Sequence, residues 1–196
     1  MGDTNQKPGL SDVVPATMSA IGFDAPGGPD VLALESVPTP APGDDDVLIR
    51  VAYAGVNRPD CIQRAGHYPA PPGASPILGL EVAGEVVAVG ANVPAEMLGA
   101  RVAALTPGGG YAEYVRIPAK MAMRFPDSWT FEQAAGMPEV FLTAFQAIDW
   151  LADLQAGERM MVHAGASGVG TAAIQIGNAK GAEVIVTASA PKHALC

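Results

Sequence analysis

Gly165, Gly168 and Gly170, inside the stretch GASGVG, are the residues whose spacing speaks most directly of chemistry. A tight strand-to-helix turn built from glycines lets backbone N–H groups and the positive end of the next helix approach a pyrophosphate without side-chain obstruction. The common spacing is G-x-G-x-x-G, and Ser167 stands here where the second glycine would. Taken alone, the pattern is as much that of an ordinary glycine-rich turn. Its surroundings favour the dinucleotide reading: ERMMVHA before it reads as a buried strand, and GVGTAAIQIGNAKG after it as a helix with Val169, Ala173 and Ile176 on one side. A second strand, AEVIVTA, follows and runs into TASAPKH. NAD-dependent folds place an acidic residue at that point, about 20 residues beyond the glycines, to hold the ribose 2′-OH. No carboxylate stands there; Ser189 and Lys192 offer a hydroxyl and a cation to a 2′-phosphate, which points to NADPH. A lone lysine at a helix start serves equally well as a solvated surface charge.

Strand, helix and strand make the β-α-β unit of a parallel sheet, and PKHALC begins a further element. Upstream of Thr130 the signals are different. MSAIGFD, VLALESV, DVLIRVAYAGV, LEVAGEVVAVG, ARVAAL and YAEYVRI read as short strands between Gly and Pro punctuation, with Val47, Ile49, Val51 and Tyr53 on one strand face. One helix interrupts them, NRPDCIQRAG, with Pro59 in its first turn and Gly66 as its C-cap. After Thr130 the period changes, and Phe141, Ala144, Phe145 and Ile148 take helical spacing in a helix that starts after Met137 near Pro138. Residues 1–17 are polar and aperiodic and read as a flexible extension, 18–130 as a strand-rich domain, and 131–196 as a linker helix with the first part of a nucleotide-binding domain. The expected fold class is therefore mixed β and α/β.

Composition bounds the partners. The chain has 196 residues, of which 49% are hydrophobic and 16% charged, with 11 basic against 20 acidic residues. A formal charge of -9 repels nucleic acid and anionic lipid, and no basic cluster offsets it. No apolar run is long enough to span a bilayer and no secretory signal opens the chain, so a cytoplasmic protein is expected. Cys61 and Cys196 are too few for a disulfide framework and sit in no ligand-spaced pair.

Five segments in this order, GFDAPGGPDVL, VAYAGVNRPDCIQRAGHYPAPPGASPILGLEVAGEVVAVG, LTPGGGYAEYVRIP, AAGMPEVFLTAFQAI and VHAGASGVGTAAIQ, resemble the medium-chain dehydrogenase/reductase superfamily. Within it they resemble the zeta-crystallin-like NADPH:quinone oxidoreductases. The resemblance implies a GroES-like β-barrel domain followed by a Rossmann domain, with the active site in the cleft between them. It also implies a homodimer for the complete protein.

Zinc-dependent alcohol dehydrogenases of that superfamily take a cysteine and a histidine as metal ligands where this chain has Asn57 and Leu80. Neither is a zinc ligand of any strength, so no catalytic zinc is expected. His67, His163 and His193 have no partner spacing and read as loop, strand and helix-start residues. What remains is direct reduction of an electron-poor acceptor, with the protein supplying position and hydrogen bonds.

By resemblance, Tyr68 faces the substrate and could hydrogen-bond a quinone oxygen, or it is a partly exposed aromatic in a Pro-rich loop. Asn57 lies where the family has a polar residue near the nicotinamide, and an Asn before a helical Pro is also an ordinary cap. Ser167 matches a serine over the cofactor, and Thr143 a cofactor-contacting threonine. The cofactor-binding set is then Thr143, Gly165, Ser167, Gly168, Val169, Gly170, Ser189 and Lys192, with Tyr68, Asn57 and Ser167 nearest the chemistry.

The expected activity is zinc-free transfer of reducing equivalents from NADPH to a quinone. Reduction of an enone or enoyl group, or a non-catalytic binding role, are its alternatives. A doubly wound sheet needs about six strands and only two are in hand, so the chain reads as an incomplete family member. The activity is then expected of the complete protein, with weak NADPH binding and little turnover by this chain alone. The two strands are also expected to present unpaired edges and a poorly covered apolar face.

Overall fold

The computed structural model describes residues 14–196, so most of the stretch read above as a flexible extension lies outside the described residues. Two compact units follow each other, the first ending at Gly136 and the second starting at Met137. Among the described residues, no helix is long and apolar enough to cross a membrane.

The first unit is built from antiparallel strands. β1 (Thr17–Gly22) and β2 (Ala33–Pro38) form a hairpin, paired from Thr17 with Pro38 to Gly22 with Ala33. β3 (Asp46–Ala54), β4 (Glu81–Val89), β5 (Arg101–Leu105), β6 (Tyr114–Pro118) and β7 (Met123–Arg124) form a five-stranded sheet in the order β6-β3-β4-β5-β7. β-branched residues supply its core, with Val47, Ile49, Val82, Val86, Val102, Val115 and Ile117 in one buried cluster. Such side chains lose little rotamer freedom on a pleated surface and pack well there.

The single-face reading of β3 holds only in part. Val47 and Ile49 are buried, but so is Leu48 between them, and Tyr53 is 46% exposed. Register shifts between Leu48 and Ile49 and between Val51 and Tyr53 explain the difference, since a bulge rotates every side chain beyond it. Gly84 faces Val51 at the second irregularity, and a Cβ there would run into the Arg50 carbonyl oxygen.

α1 (Arg58–Arg64) starts at the N-cap Asn57 with Pro59 in its first turn, as the sequence predicts. Its C-cap is Ala65, not Gly66; Gly66 is the next residue and takes the left-handed conformation at φ +85 that stops the helix. A second short helix, α2 (Phe131–Ala135), closes the unit behind a Thr130–Gln133 capping box. The segment leading into it is held by Arg101, which donates to the carbonyls of Asp127 and Trp129 and lies 4.7 Å from the ring centres of both Phe125 and Phe131.

In the second unit, α3 (Pro138–Phe145) continues without a break into a π-helical stretch, Gln146–Leu151. Ala144 and Ile148 are buried as the helical spacing implies, but Phe145 is 41% exposed and meets Trp150 edge-on. The widening of the helix beyond Phe145 is marked by the bond from Ala152 N–H to the Ala147 carbonyl.

β8 (Arg159–His163), α4 (Gly168–Ala179) and β9 (Glu183–Thr187) are the expected β-α-β unit, with β8 and β9 parallel. β8 is not buried as its composition suggested. Met160 and Val162 pack with α4 against Ala172 and Ala173, whereas Met161 is 61% exposed beside its neighbour Ile185. Helices cover one face of this two-stranded sheet, so alternate residues stay out. Ala172, Ala173 and Ile176 make the packed side of α4; Val169 shares that side by period but lies in the first turn and is 38% exposed.

Candidate functional site

The glycine turn is built as a cradle. β8 ends in a hydrogen bond between His163 Nδ1 and Thr187 Oγ1 (3.0 Å), after which Ala164 takes the left-handed φ of 54 and its carbonyl accepts from Ser167 N–H. Gly165 N–H donates to the Thr187 carbonyl, tying the turn to β9. Each glycine has its own reason. A Cβ on Gly165 would press on Val186, one on Gly168 would meet Val140 at 2.8 Å, and one on Gly170 would run into the carbonyl of Ala164. Gly165 and Gly170 are buried, while Ser167, Gly168 and Val169 form the exposed rim.

The first four N–H groups of a helix have no partner inside it. Here Ser167 N–H bonds Ala164, and Gly170 N–H bonds the Ser167 hydroxyl oxygen at 3.0 Å. The Gly168 and Val169 N–H groups are left at the exposed positive end of a 12-residue helix, an arrangement that fits a pyrophosphate. Ser167 thus does helix-capping work with its oxygen, and its O–H proton is still free to donate. Replacing Ser167 with alanine is expected to cost about 1 kcal/mol, or about 4–8 °C in Tm for a unit of this size, measured by thermal melting.

Because β8 and β9 are parallel, the segments that follow them leave from the same end of the sheet. Ser189 and Lys192 therefore follow β9 at the end that carries the glycine turn, joined by a bond from Lys192 N–H to the Ser189 carbonyl, and both are exposed. Thr143 is exposed on α3, one turn beyond the Val140 that packs on Gly168. Gly165, Ser167, Gly168, Val169 and Gly170 thus form one turn, Ser189 and Lys192 follow β9 at the same end of the sheet, and Thr143 lies on the helix whose Val140 faces Gly168.

Asn57 and Tyr68 belong to the first unit and do not meet there. They stand at opposite ends of α1, whose length is about 10 Å, and Tyr68 is 46% exposed. Asn57 is at the centre of a polar cluster. Its backbone N–H donates to Asp60 Oδ2 (2.8 Å), its Nδ2 donates to Glu81 Oε1 (2.8 Å), and Tyr111 O–H donates to Asp60 Oδ2 (2.7 Å). Asp60 and Glu81 are buried at 3% and 2% exposure. Buried carboxylates are costly unless hydrogen-bonded; Asp60 Oδ2 and Glu81 Oε1 accept these bonds, while Asp60 Oδ1 is buried without a hydrogen-bond partner. Sequence reading missed Tyr111 and the inward role of Glu81. The visible signal was an acid, Glu81, at the start of the apolar run LEVAGEVVAVG.

Burial, reinforced by the bond to Asp60 and by nearby negative charge, raises the pKa of the Tyr111 phenol above its ordinary value of 10.0. The folded protein therefore keeps this proton at a pH where the unfolded chain loses it. The resulting stability is complete below pH about 10 and falls as the pH rises beyond it. Tyr111→Phe is expected to flatten the alkaline limb of a stability-versus-pH curve measured by denaturant unfolding.

Among the described residues, no three His, Cys, Asp or Glu side chains are grouped as a metal ion would need. At the two positions of interest, the Asn57 amide nitrogen is engaged by Glu81 and Leu80 is buried. Elsewhere in the first unit, a groove of about 620 Å³ is lined by Met18, Val37, Ile77, Pro107, Tyr114 and Ile117 among others, and includes none of the residues singled out from the sequence.

Residues 43–127 match the family described as the alcohol dehydrogenase GroES-like domain. The chain is 46% identical over 149 residues to the polyketide synthase GfsB of Streptomyces halstedii, covering 76% of this chain and 3% of that protein. It is 39% identical over 164 residues to the quinone oxidoreductase of Homo sapiens, covering 83% of this chain and 50% of that protein. Among solved structures, the CurK enoyl reductase aligns with a TM-score of 0.84 at 31% identity, over 92% of this chain and 57% of that one. A mycobacterial protein solved as a complex with NADPH aligns with a TM-score of 0.79 at 36% identity, over 91% of this chain and 54% of that one. The chain thus spans about half the length of the quinone oxidoreductase it matches and a small part of the polyketide synthase. The domain match and these relatives, joined to a strand-rich unit followed by a β-α-β start, support the medium-chain dehydrogenase/reductase superfamily as the family of this chain.

Proposed function

We propose that the protein is a zinc-independent oxidoreductase that passes reducing equivalents from NADPH to an electron-poor acceptor, with a quinone as the first candidate. The observation that carries the reading is the capped helix mouth, where Gly168 and Val169 offer N–H groups over glycines that admit no side chain. In this reading those N–H groups hold the pyrophosphate, Ser189 and Lys192 receive the 2′-phosphate, and Thr143 borders the cofactor. A reduced nicotinamide supplies a hydride when bound. Asn57 and Tyr68 orient the acceptor, the Tyr68 phenol donating a hydrogen bond to its oxygen. Independence from zinc is supported by the donor set, since Asn57 and Leu80 replace the expected ligands.

The mycobacterial complex supports NADPH as the cofactor. Residues 18–130 then form the substrate-facing domain and 131–196 the start of the cofactor domain. The reading also includes a cytoplasmic location, a homodimer for the complete protein, and no nucleic-acid or membrane partner.

A second acceptor class is favoured by specific findings. The polyketide synthase relative and the enoyl reductase structure support reduction of a conjugated carbon–carbon double bond in a thioester. Following NADPH consumption with a benzoquinone and, separately, with an α,β-unsaturated thioester distinguishes the two. Consumption with the quinone alone supports the first reading and with the thioester alone the second. Silence with both leaves a cofactor-binding module without turnover.

A further inference from the structure

We infer that Glu81 is a positioning residue that sets which atoms of the Asn57 carboxamide face a ligand; the inference rests on the proposed reading in which Asn57 meets the acceptor or the nicotinamide. A carboxamide can be seated two ways round, with its oxygen or its nitrogen inward. A carboxylate only accepts hydrogen bonds, so Glu81 Oε1, 2.8 Å from Asn57 Nδ2, admits only the nitrogen. The backbone on the other side is fixed as well, because Asp60 holds the Asn57 N–H and Tyr111 holds Asp60.

The chain has made room for this contact. The Glu81 carboxylate lies over Gly55, where any Cβ would collide with Oε1, and the Gly55 N–H donates to the Glu81 carbonyl. Placing a carboxylate at 2% exposure at the start of an inner strand is expensive, and packing alone would be better served by a hydrocarbon side chain. One thing the acid supplies is a fixed acceptor for Asn57 Nδ2. With one Nδ2 proton given to Glu81, the second Nδ2 proton is left for an acceptor oxygen. The ligand group that fits is a carbonyl, as in a quinone, an unsaturated thioester or a carboxamide.

Two measurements on the purified protein test this. The first is the side-chain amide signal of Asn57 in a ¹⁵N–¹H spectrum without ligand, assigned by its loss in Asn57→Asp. The two carboxamide protons are inequivalent in any Asn, because rotation about the C–N bond is slow. The bond to Glu81 shifts one of them, and Glu81→Ala is expected to move that signal and bring the separation to that of an unbonded Asn side chain. Gly55→Ala, which displaces the carboxylate while leaving both partners in place, is expected to do the same. An unchanged separation in Glu81→Ala would overturn the inference.

The second is kcat/KM for NADPH-dependent reduction, measured on a form of the protein that oxidises NADPH. Glu81→Ala and Asn57→Ala are each expected to lose about ten-fold, and the double variant no more than either. Glu81→Gln, whose amide oxygen can still accept, is expected to recover most of the loss. A double variant about a hundred-fold down, the product of the singles, would mean that Glu81 acts on stability or elsewhere and not through Asn57. If Asn57→Ala keeps full activity, the role proposed for Asn57 fails, while the amide spectrum still decides whether Glu81 orients it.

Discussion

Replacing Gly170 with alanine is expected to abolish measurable NADPH binding and to destabilise the second unit by about 2–3 kcal/mol. Two effects combine at this position. The new Cβ runs into the backbone carbonyls of Ala164 and Gly165, and backbone atoms cannot swing aside as a flexible side chain can. Relieving the clash moves the start of α4 away from the end of β8, so the N–H groups of Gly168 and Val169 no longer converge on one anion. A fluorescence titration with NADPH and a thermal melt measure the two effects separately. Binding within roughly two-fold of the parent protein would show that this turn is not the pyrophosphate site.

Gly84→Ala is expected to cost the first unit about 3 kcal/mol, the upper end of what overpacking usually costs. Gly84 is on β4 at the irregularity of the β3–β4 ladder, and the added methyl group meets the Arg50 carbonyl oxygen and the Ile49 side chain. Those neighbours belong to the best-buried part of the sheet, where Ile49, Val82 and Val86 have no exposed surface. A glycine in a strand interior ordinarily weakens it, so its presence here reflects close backbone approach. The shift of the urea midpoint measures the loss. A change under about 1 kcal/mol would mean that β3 yields more easily than its burial implies.

Much of the architecture was legible because it depends on local pattern. Alternating β-branched residues marked β3, β4 and β6, Pro59 and Pro138 marked helix starts, and the glycine spacing with flanking apolar runs marked the β-α-β unit. What failed depends on neighbours distant in sequence. The burial of Leu48 and exposure of Tyr53 follow from bulges that arise only when β3 meets β4. The exposure of Met161 follows from helices covering a single sheet face, which a short apolar run cannot reveal. The Asn57 cluster was half visible. Asn57 and Asp60 are near neighbours in the chain, but Tyr111 reaches Asp60 across 51 positions and no period connects them.

The ladder geometry also bears on how the chain acquires its structure. In the second unit Arg159 pairs with Glu183, a separation of 24 residues, with a helix taking up the distance between them. In the first unit Asp46 pairs with Pro118, about three times as far along the chain, and closing the longer loop costs about 1 kcal/mol more entropy. The β8–β9 ladder is therefore expected to form before the β3–β6 ladder on refolding, since contacts close in sequence form before distant ones. Pulse-labelled hydrogen exchange should protect Val162 and Val186 before Ile49, and the reverse order would show that the five-stranded sheet nucleates folding. On refolding, the glycine turn would then be formed while the sheet that carries Glu81, the hydrogen-bond partner of Asn57, is still assembling.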